Sequence, residues 1–285
     1  MPMNLKPFKV IAIDADDTLW ECQSHFDNAE AAYCQLLADY NDAKHISDAL
    51  FETEKLNMPS LGFGTKAFTL SLLETAIKVS GGSLSGKVVA EILQLGKALL
   101  SFPTTPLPGV EDTLIALNER KGGEDYRLVV FTKGELQDQE NKLKRSGLAN
   151  YFDDVVVVAD KTEEEYRHLC VNNEIRPSEL LMIGNSFKSD IAPALAIGAY
   201  AVHVPFSVAW KMELAETFDH ERLTTIKNFK DLCKFGLRNG YPTPWIARKR
   251  RKMPVVGRRN AEFAKKHSSS ADETRKTLKI ARRRP

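Results

Sequence analysis

Three carboxylates, Asp14, Asp16 and Asp17, crowd into four positions with Thr18 directly after them. Like charges that close repel, so such a group needs either a solvated loop or a cation. Taken alone, the stretch is equally an acidic turn in which Asp17 or Thr18 caps the next helix. Three further polar groups shift the balance. FTKG carries Thr132, Lys133 and Gly134; ADKT carries Lys161; IGNSFKSD carries Gly184, Asn185, Ser186, Ser189 and Asp190. Each follows a short apolar run, and together they fit one reaction, phosphoryl transfer.

A phosphoryl group is anionic, so an anionic attacker must first be shielded. Magnesium does this when held by one or two carboxylates together with phosphate oxygen and water. Asp14 and Asp190 are the obvious carboxylates, and Asn185 is a neutral ligand or water orienter. One aspartate can then attack and form an aspartyl-phosphate, splitting a hard step into two easier ones. A second carboxyl nearby can protonate the leaving oxygen and later activate water. Thr132 and the amides of residues 15, 16, 133 and 134 suit the equatorial oxygens. Lys161 would neutralise nucleophile and phosphoryl group together.

The elements that must position these groups can be read from hydrophobic period. Phe8, Val10, Ile11, Ala12 and Ile13 form a nearly unbroken apolar run, the signature of a strand covered on both faces. Leu128–Phe131, Val155–Val158, Leu180–Ile183 and Tyr200–Val204 are similar runs, separated by helical stretches near 110–121, 135–146, 162–174 and 189–197. That alternation predicts an α/β fold, a doubly wound parallel sheet with ligands at the strands' carboxyl ends. Between the first two strands the period turns helical. Ala29, Ala32, Tyr33, Leu36, Leu37 and Tyr40 mark one helix, and a short second one is expected around Ser47–Leu56, broken at Pro59. Phe68–Ile77 and Val88–Leu95 mark two more, and prolines 103, 106 and 108 close the block.

This order of motifs resembles the haloacid dehalogenase-like superfamily of phosphohydrolases over roughly residues 8–205. DADDT is similar to the family's first motif, DxDxT/V, with Asp17 where glycine is commoner. The resemblance implies a Rossmann-like core over 1–21 and 105–240 and a helical cap over 22–104. It makes Asp14 the nucleophile and Asp16 the general acid/base, with the Asp16 backbone carbonyl on the metal. Thr132 matches the second motif, Lys161 the third and Asp190 the acidic end of the fourth. The implied catalytic set is Asp14, Asp16, Thr132 and Lys161; phosphate falls to Thr132, Lys133, Gly134 and Lys161. Magnesium falls to Asp14, Asp16, Asp190 and Asn185, the last standing where many members carry Asp. Members that cleave carbon–halogen bonds lack an acid at the second position, so Asp16 argues for phosphatase chemistry.

Composition bounds the rest. Hydrophobic content of 43% and charged content of 27% over 285 residues are ordinary for a globular protein. No apolar run approaches the ~20 residues of a membrane span, and MPMNLKPFKV runs into the first strand without the look of a signal peptide. Four well-separated cysteines suggest reduced thiols in the cytoplasm. The net charge of +2 conceals a split: residues 248–285 carry fifteen Lys/Arg against three acids, a basic tail of +12 on a body of −10. Sparse apolar residues there predict disorder, with weak nucleic-acid or anionic-surface attachment, or nuclear import through RKRRK, as functional readings.

Other residues carry less. His168 and His203 read as packing histidines without a role, Trp20 as a packing residue, and Phe63 as a loop residue with some prospect of touching substrate. GGSLSGKV at 81–88 nearly matches a phosphate-binding loop, but Val88 lacks the hydroxyl and a helix precedes it, so a turn is expected. The sequence therefore points to a magnesium-dependent phosphatase for a small phosphorylated metabolite. A phosphoryl transferase or mutase is the alternative within the fold, and a catalytically weak binding protein tethered through its tail is the alternative outside it.

Overall fold

Six strands, five of them built on short apolar runs, form in the computed structural model, which describes residues 8–121 and 125–234. They are β1 (Val10–Ile13), β2 (Arg127–Lys133), β3 (Asp154–Val158), β4 (Leu180–Gly184), β5 (Tyr200–His203) and β6 (Leu223–Thr225), this last one shorter. All pair in parallel, in the order β3-β2-β1-β4-β5-β6. The chain leaves β1 for one half of the sheet and returns beside it with β4, so the switch point lies at β1. Open sheets bind ligands at such points.

Register sets what meets there. Ile13 is opposite Val130 on one side and Ile183 on the other. Asp14, Thr132 and Gly184 therefore emerge at nearly one level. Both faces of β1 are buried, as its unbroken apolar run requires. Ile11 and Ile13 pack with Leu128, Val130, Leu181 and Ile183 on one face. Val10 and Ala12 pack with Val129, Phe131, Leu180 and Met182 on the other.

Between β1 and the sheet's next helix lie four helices, α1 (Gln23–Leu36), α2 (Ala43–Leu61), α3 (Thr65–Val79) and α4 (Gly86–Leu99). They enclose a separate core of Tyr33, Leu37, Ile46, Leu50, Phe68, Leu72, Ala76 and Ile92. The Tyr33 hydroxyl donates to the Leu72 carbonyl at 2.8 Å, so the one buried phenol in this core is satisfied. The segment 81–85 is a turn, and Ser85 caps α4 by accepting from the Val88 amide. The remaining helices are α5 (Val110–Arg120), α6 (Leu136–Ser146), α7 (Glu163–Asn172) and α8 (Ala192–Ala196).

Four boundaries differ from the sequence reading. Helix α2 runs nineteen residues and contains Pro59 in its last turn. Its stop is Gly62, at φ 70°, a conformation glycine adopts freely. Helix α1 ends at Leu36, leaving Tyr40 in a turn with its hydroxyl on the Ser83 carbonyl. The helix expected over 189–197 is split into a π-helical turn, Phe187–Ile191, followed by α8. Strand β6 is an edge of three residues, too short to show alternation. The described residues all belong to one compact unit; the basic tail at 248–285 lies outside them.

Candidate active site

The Asp14 amide donates to the Ile183 carbonyl at 2.9 Å, extending the β1–β4 ladder by one residue. The nucleophile candidate is thus fixed by the sheet itself, with its side chain buried. Lys161, just before the N-cap of α7, is equally buried. Its ammonium lies 2.5 Å from Asp14 Oδ1 and 2.7 Å from Asp190 Oδ1. One cation so placed offsets two carboxylates that would otherwise repel. The Thr18 hydroxyl lies 3.0 Å from Asp14 Oδ2 and 3.1 Å from Asn185 Oδ1.

Asp190 comes from the π-helical turn. Its Oδ2 accepts the Ser186 amide at 2.9 Å, and the Tyr166 hydroxyl of α7 sits on the Ser189 and Asp190 carbonyls at 3.0 and 3.2 Å. The π turn widens the helix by one residue where the carboxylate must reach inward, a common use of such turns. Thr132, buried at the end of β2, completes the edge.

Asp16 is held differently. Lys142 Nζ donates to both its oxygens, at 2.9 and 2.7 Å. Trp20 Nε1 donates to Oδ1 and Gln139 Nε2 to Oδ2, each at 2.8 Å. Trp20 therefore packs and also hydrogen-bonds. Lys142 and Gln139 are both buried on α6, and sequence reasoning passed them over. Their i, i+3 spacing on a helix starting at a strand end was the available signal. Neither Asp17 nor Thr18 is the N-cap of the next helix, because α1 starts from Cys22; instead Asp17, at φ 61°, reaches forward to accept the amides of Cys22 and Gln23 at 2.7 and 3.1 Å.

Charge follows geometry. Burial pushes the Asp14 carboxyl up to about 7; Lys161 opposes the rise and Asp190 adds to it. Burial would also raise Asp16, but the charge and hydrogen bonds of Lys142, with those of Gln139 and Trp20, hold it below the usual carboxylate range. Burial disfavours the Lys161 ammonium, yet Asp14 and Asp190 raise it on balance. Two carboxylates two residues apart are thus shifted in opposite directions: burial prevails at Asp14, which shares its cation, and Lys142 with two further donors prevails at Asp16.

The two remaining phosphate candidates have partners. The Gly134 amide donates to the Val158 carbonyl at 3.0 Å. Lys133 Nζ pairs with Glu213, donates to Ser189 Oγ at 2.9 Å, and lies 4.1 Å from the centre of the Phe63 ring. As placed, this amide and ammonium are committed to protein groups. Glu213 is a second omission of the sequence reading. Its Oε2 accepts from the Ser186 and Ser189 hydroxyls at 2.5 and 2.6 Å. Beside it, Trp210 meets Phe63 edge-to-face and Lys211 lies over Phe51, both rings belonging to the helical block.

These elements enclose a cavity of about 1180 Å³, from Asp14, Thr132, Lys161 and Asp190 at the strand ends to Glu54 and Phe51 on α2. Burial, reinforced by Glu30, pushes the Glu54 carboxyl up to about 8. Among the described residues no three His, Cys, Asp or Glu side chains converge on a metal position. The Asp16 carboxylate turns to Lys142, which leaves Asp14 and Asp190. That pair nevertheless suits magnesium, which takes only one or two carboxylates and otherwise oxygen and water. The Asn185 Oδ1 shares Thr18 with Asp14 and supplies a neutral oxygen.

A family model described as haloacid dehalogenase-like hydrolase matches residues 8–198. The N-acylneuraminate-9-phosphatases of Rattus norvegicus and Mus musculus are 23% and 28% identical over 210 residues, 70% of this chain and 83% of theirs. A phosphoglycolate phosphatase of Nitrosospira multiformis is 28% identical, over 70% of this chain and 84% of its own. The crystal structure of a haloacid dehalogenase-like family hydrolase from Xanthomonas campestris superposes with a TM-score of 0.72 at 28% identity, covering 82% of this chain and 94% of that one.

Proposed function

The chain belongs to the haloacid dehalogenase-like hydrolases, and we propose that it is a magnesium-dependent phosphatase acting on a small phosphorylated metabolite through an aspartyl-phosphate. The observation that carries this reading is the buried Asp14, ionically paired through Lys161 with Asp190. The sheet-fixed carboxylate has an attacking oxygen and a cation beside it. Relatives named as phosphatases support the reaction class.

In the first step an Asp14 oxygen bonds to phosphorus as the ester P–O bond breaks, and Asp16, whose carboxyl Lys142 holds low, gives the departing oxygen a proton only after leaving Lys142 and taking one up. In the second, water attacks the phosphoryl group and passes a proton to Asp16. The bond to Asp14 breaks, inorganic phosphate leaves, and Asp16 is again protonated. Lys161 holds Asp14 in line and balances the incoming charge, and the Thr132 hydroxyl suits a phosphoryl oxygen. Asp14, Asp190, Asn185 and the Asp16 backbone carbonyl would hold magnesium, which shields nucleophile from phosphate. The helical block, residues 22–104, serves as the cap over a core of 1–21 and 105–240, and its cavity wall of Phe51, Glu54 and Phe63 meets the leaving group. Free cysteines at all four positions support a cytoplasmic setting; among the described residues no helix is long and apolar enough to cross a membrane.

The test is phosphate release across a panel of phosphorylated metabolites, with chelator and with added magnesium. Asp14→Asn should lower kcat by at least about 1,000-fold and abolish labelling of the protein by phosphate, since an amide is a poor nucleophile. Near wild-type turnover by that variant, or full activity in chelator, would overturn the reading.

A further inference from the structure

Tyr166 lies on α7, wholly buried, with its ring edge-to-face against Phe131 at 4.9 Å between centres. The ring belongs to an apolar cluster on one face of the sheet. Its hydroxyl reaches out of that cluster to the π-helical turn and offers its hydrogen to the Ser189 carbonyl at 3.0 Å, with the Asp190 carbonyl at 3.2 Å. The sequence explains the need. Pro193, four residues after Ser189, has no amide to give that carbonyl. A buried carbonyl without a donor is costly, and here the phenol supplies the donor. The turn so held carries Asp190. Ser186 fixes its start: the Ser186 carbonyl accepts the amides of Asp190 and Ile191 at 2.9 and 3.2 Å, and the Ser186 amide donates to Asp190 Oδ2 at 2.9 Å. Tyr166 fixes its far side. Lys161 and the Ser186 amide occupy two of the roughly four lone-pair sites on the Asp190 carboxylate. Two remain open to a metal.

We propose that Tyr166 is a positioning residue for the metal ligand: its hydroxyl fixes the backbone of the π-helical turn, and with it the point at which Asp190 presents its open lone pairs to magnesium. This rests on the magnesium-dependent reading of the site. Tyr166 does not line the cavity, so its effect passes through Asp190. Partners one step removed from a metal change its affinity by about 10- to 100-fold when lost. Tyr166 acts on the backbone of the ligand and leaves its carboxylate contacts in place, which puts the expected effect at the low end.

The experiment is calorimetric titration of the full-length, substrate-free protein with magnesium, alongside thermal unfolding in chelator and phosphate release from whichever ester the wild type hydrolyses best. Tyr166→Phe keeps the ring and its packing on Phe131 and removes only the hydroxyl. Its Kd for magnesium should rise about 10-fold, with kcat at saturating magnesium within about 3-fold of wild type. Tyr33→Phe is the control. It removes an equally buried hydroxyl, 2.8 Å from the Leu72 carbonyl in the helical block, and should lower the thermal midpoint while leaving the magnesium Kd within about 2-fold. A merely structural role for Tyr166 would make the two variants alike. A rise of less than about 3-fold in Tyr166→Phe, or an equal rise in Tyr33→Phe, would sink the proposal and leave the phosphatase reading standing. Phosphate release by the wild type in chelator, with no heat of magnesium binding, would instead remove the magnesium reading and this proposal with it.

Discussion

Asp190 reaches Lys161 because residue 184 is glycine. A Cβ at that position would lie 2.2 Å from Asp190 Oδ2 and 2.3 Å from its Cγ. The backbone there is ordinary strand, so the requirement is space and owes nothing to an unusual φ. Gly184→Ala should push the carboxylate aside and strip Lys161 of one of its two partners. The expected outcome is a rise of at least about 10-fold in the magnesium needed for half-maximal turnover, with about 1–3 kcal/mol lost to overpacking. Magnesium titrations of activity alongside urea unfolding check both, and an unchanged magnesium requirement would show that Asp190 tolerates the displacement. At this scale Asp14, Thr132, Lys161 and Asp190 were legible in sequence, because each follows an apolar run whose end is easily located. Lys142, Gln139 and Glu213 were not, because a polar side chain on a helix or loop declares its direction only after packing.

Elements were legible to the extent that their signal was local. The five longer strands and eight helical stretches show in their period, whereas α2 passes through Pro59 because a proline in the last turn forfeits little. The segment after β5 offered no period at all, yet it makes a wall of the cavity. It is tied to the strand ends by Glu213 and to the helical block by Trp210 and Lys211. Burial would raise the Glu213 carboxyl, but Lys133 and the two serine hydroxyls hold it low, so it stays charged at neutral pH. Glu213→Gln keeps the shape and removes the charge that Lys133 needs. This loosens that wall of the cavity without touching Asp14 or Asp16. KM should rise about 3- to 10-fold with kcat within about 2-fold, the pattern of lost uniform binding. Steady-state kinetics on the preferred ester decide it; a fall in kcat at constant KM would place the Lys133–Glu213 pair in the chemistry instead.

At the scale of the whole molecule the sequence divides by charge into an acidic body and a basic tail. Residues 248–285 carry fifteen cations and three anions, and they follow every motif in the chain. The last described residue of the main core is Leu232, in the turn Phe229–Lys234 that packs with α5. The site is assembled from β1, β2, β4, α6 and the loops between them, all upstream of it. Truncation before residue 248 should therefore leave kcat unchanged at saturating substrate and magnesium. It leaves a body of −10, so long-range attraction of an anionic substrate weakens and KM should rise by no more than about 3-fold at low salt, less at physiological ionic strength. Retention on a polyanion follows the opposite course. Phosphate contacts depend on Lys and Arg, and their affinity falls as a power of salt concentration set by the number of contacts. The intact chain should bind single- or double-stranded nucleic acid with little preference for sequence and lose it steeply between about 50 and 200 mM salt; the truncated chain should not bind at all. Parallel assays of phosphate release and nucleic-acid retention, before and after truncation, separate the two. Loss of turnover on truncation at saturating substrate would mean that the basic segment completes the catalytic unit, and that an active site built wholly upstream of it is the wrong description of this enzyme.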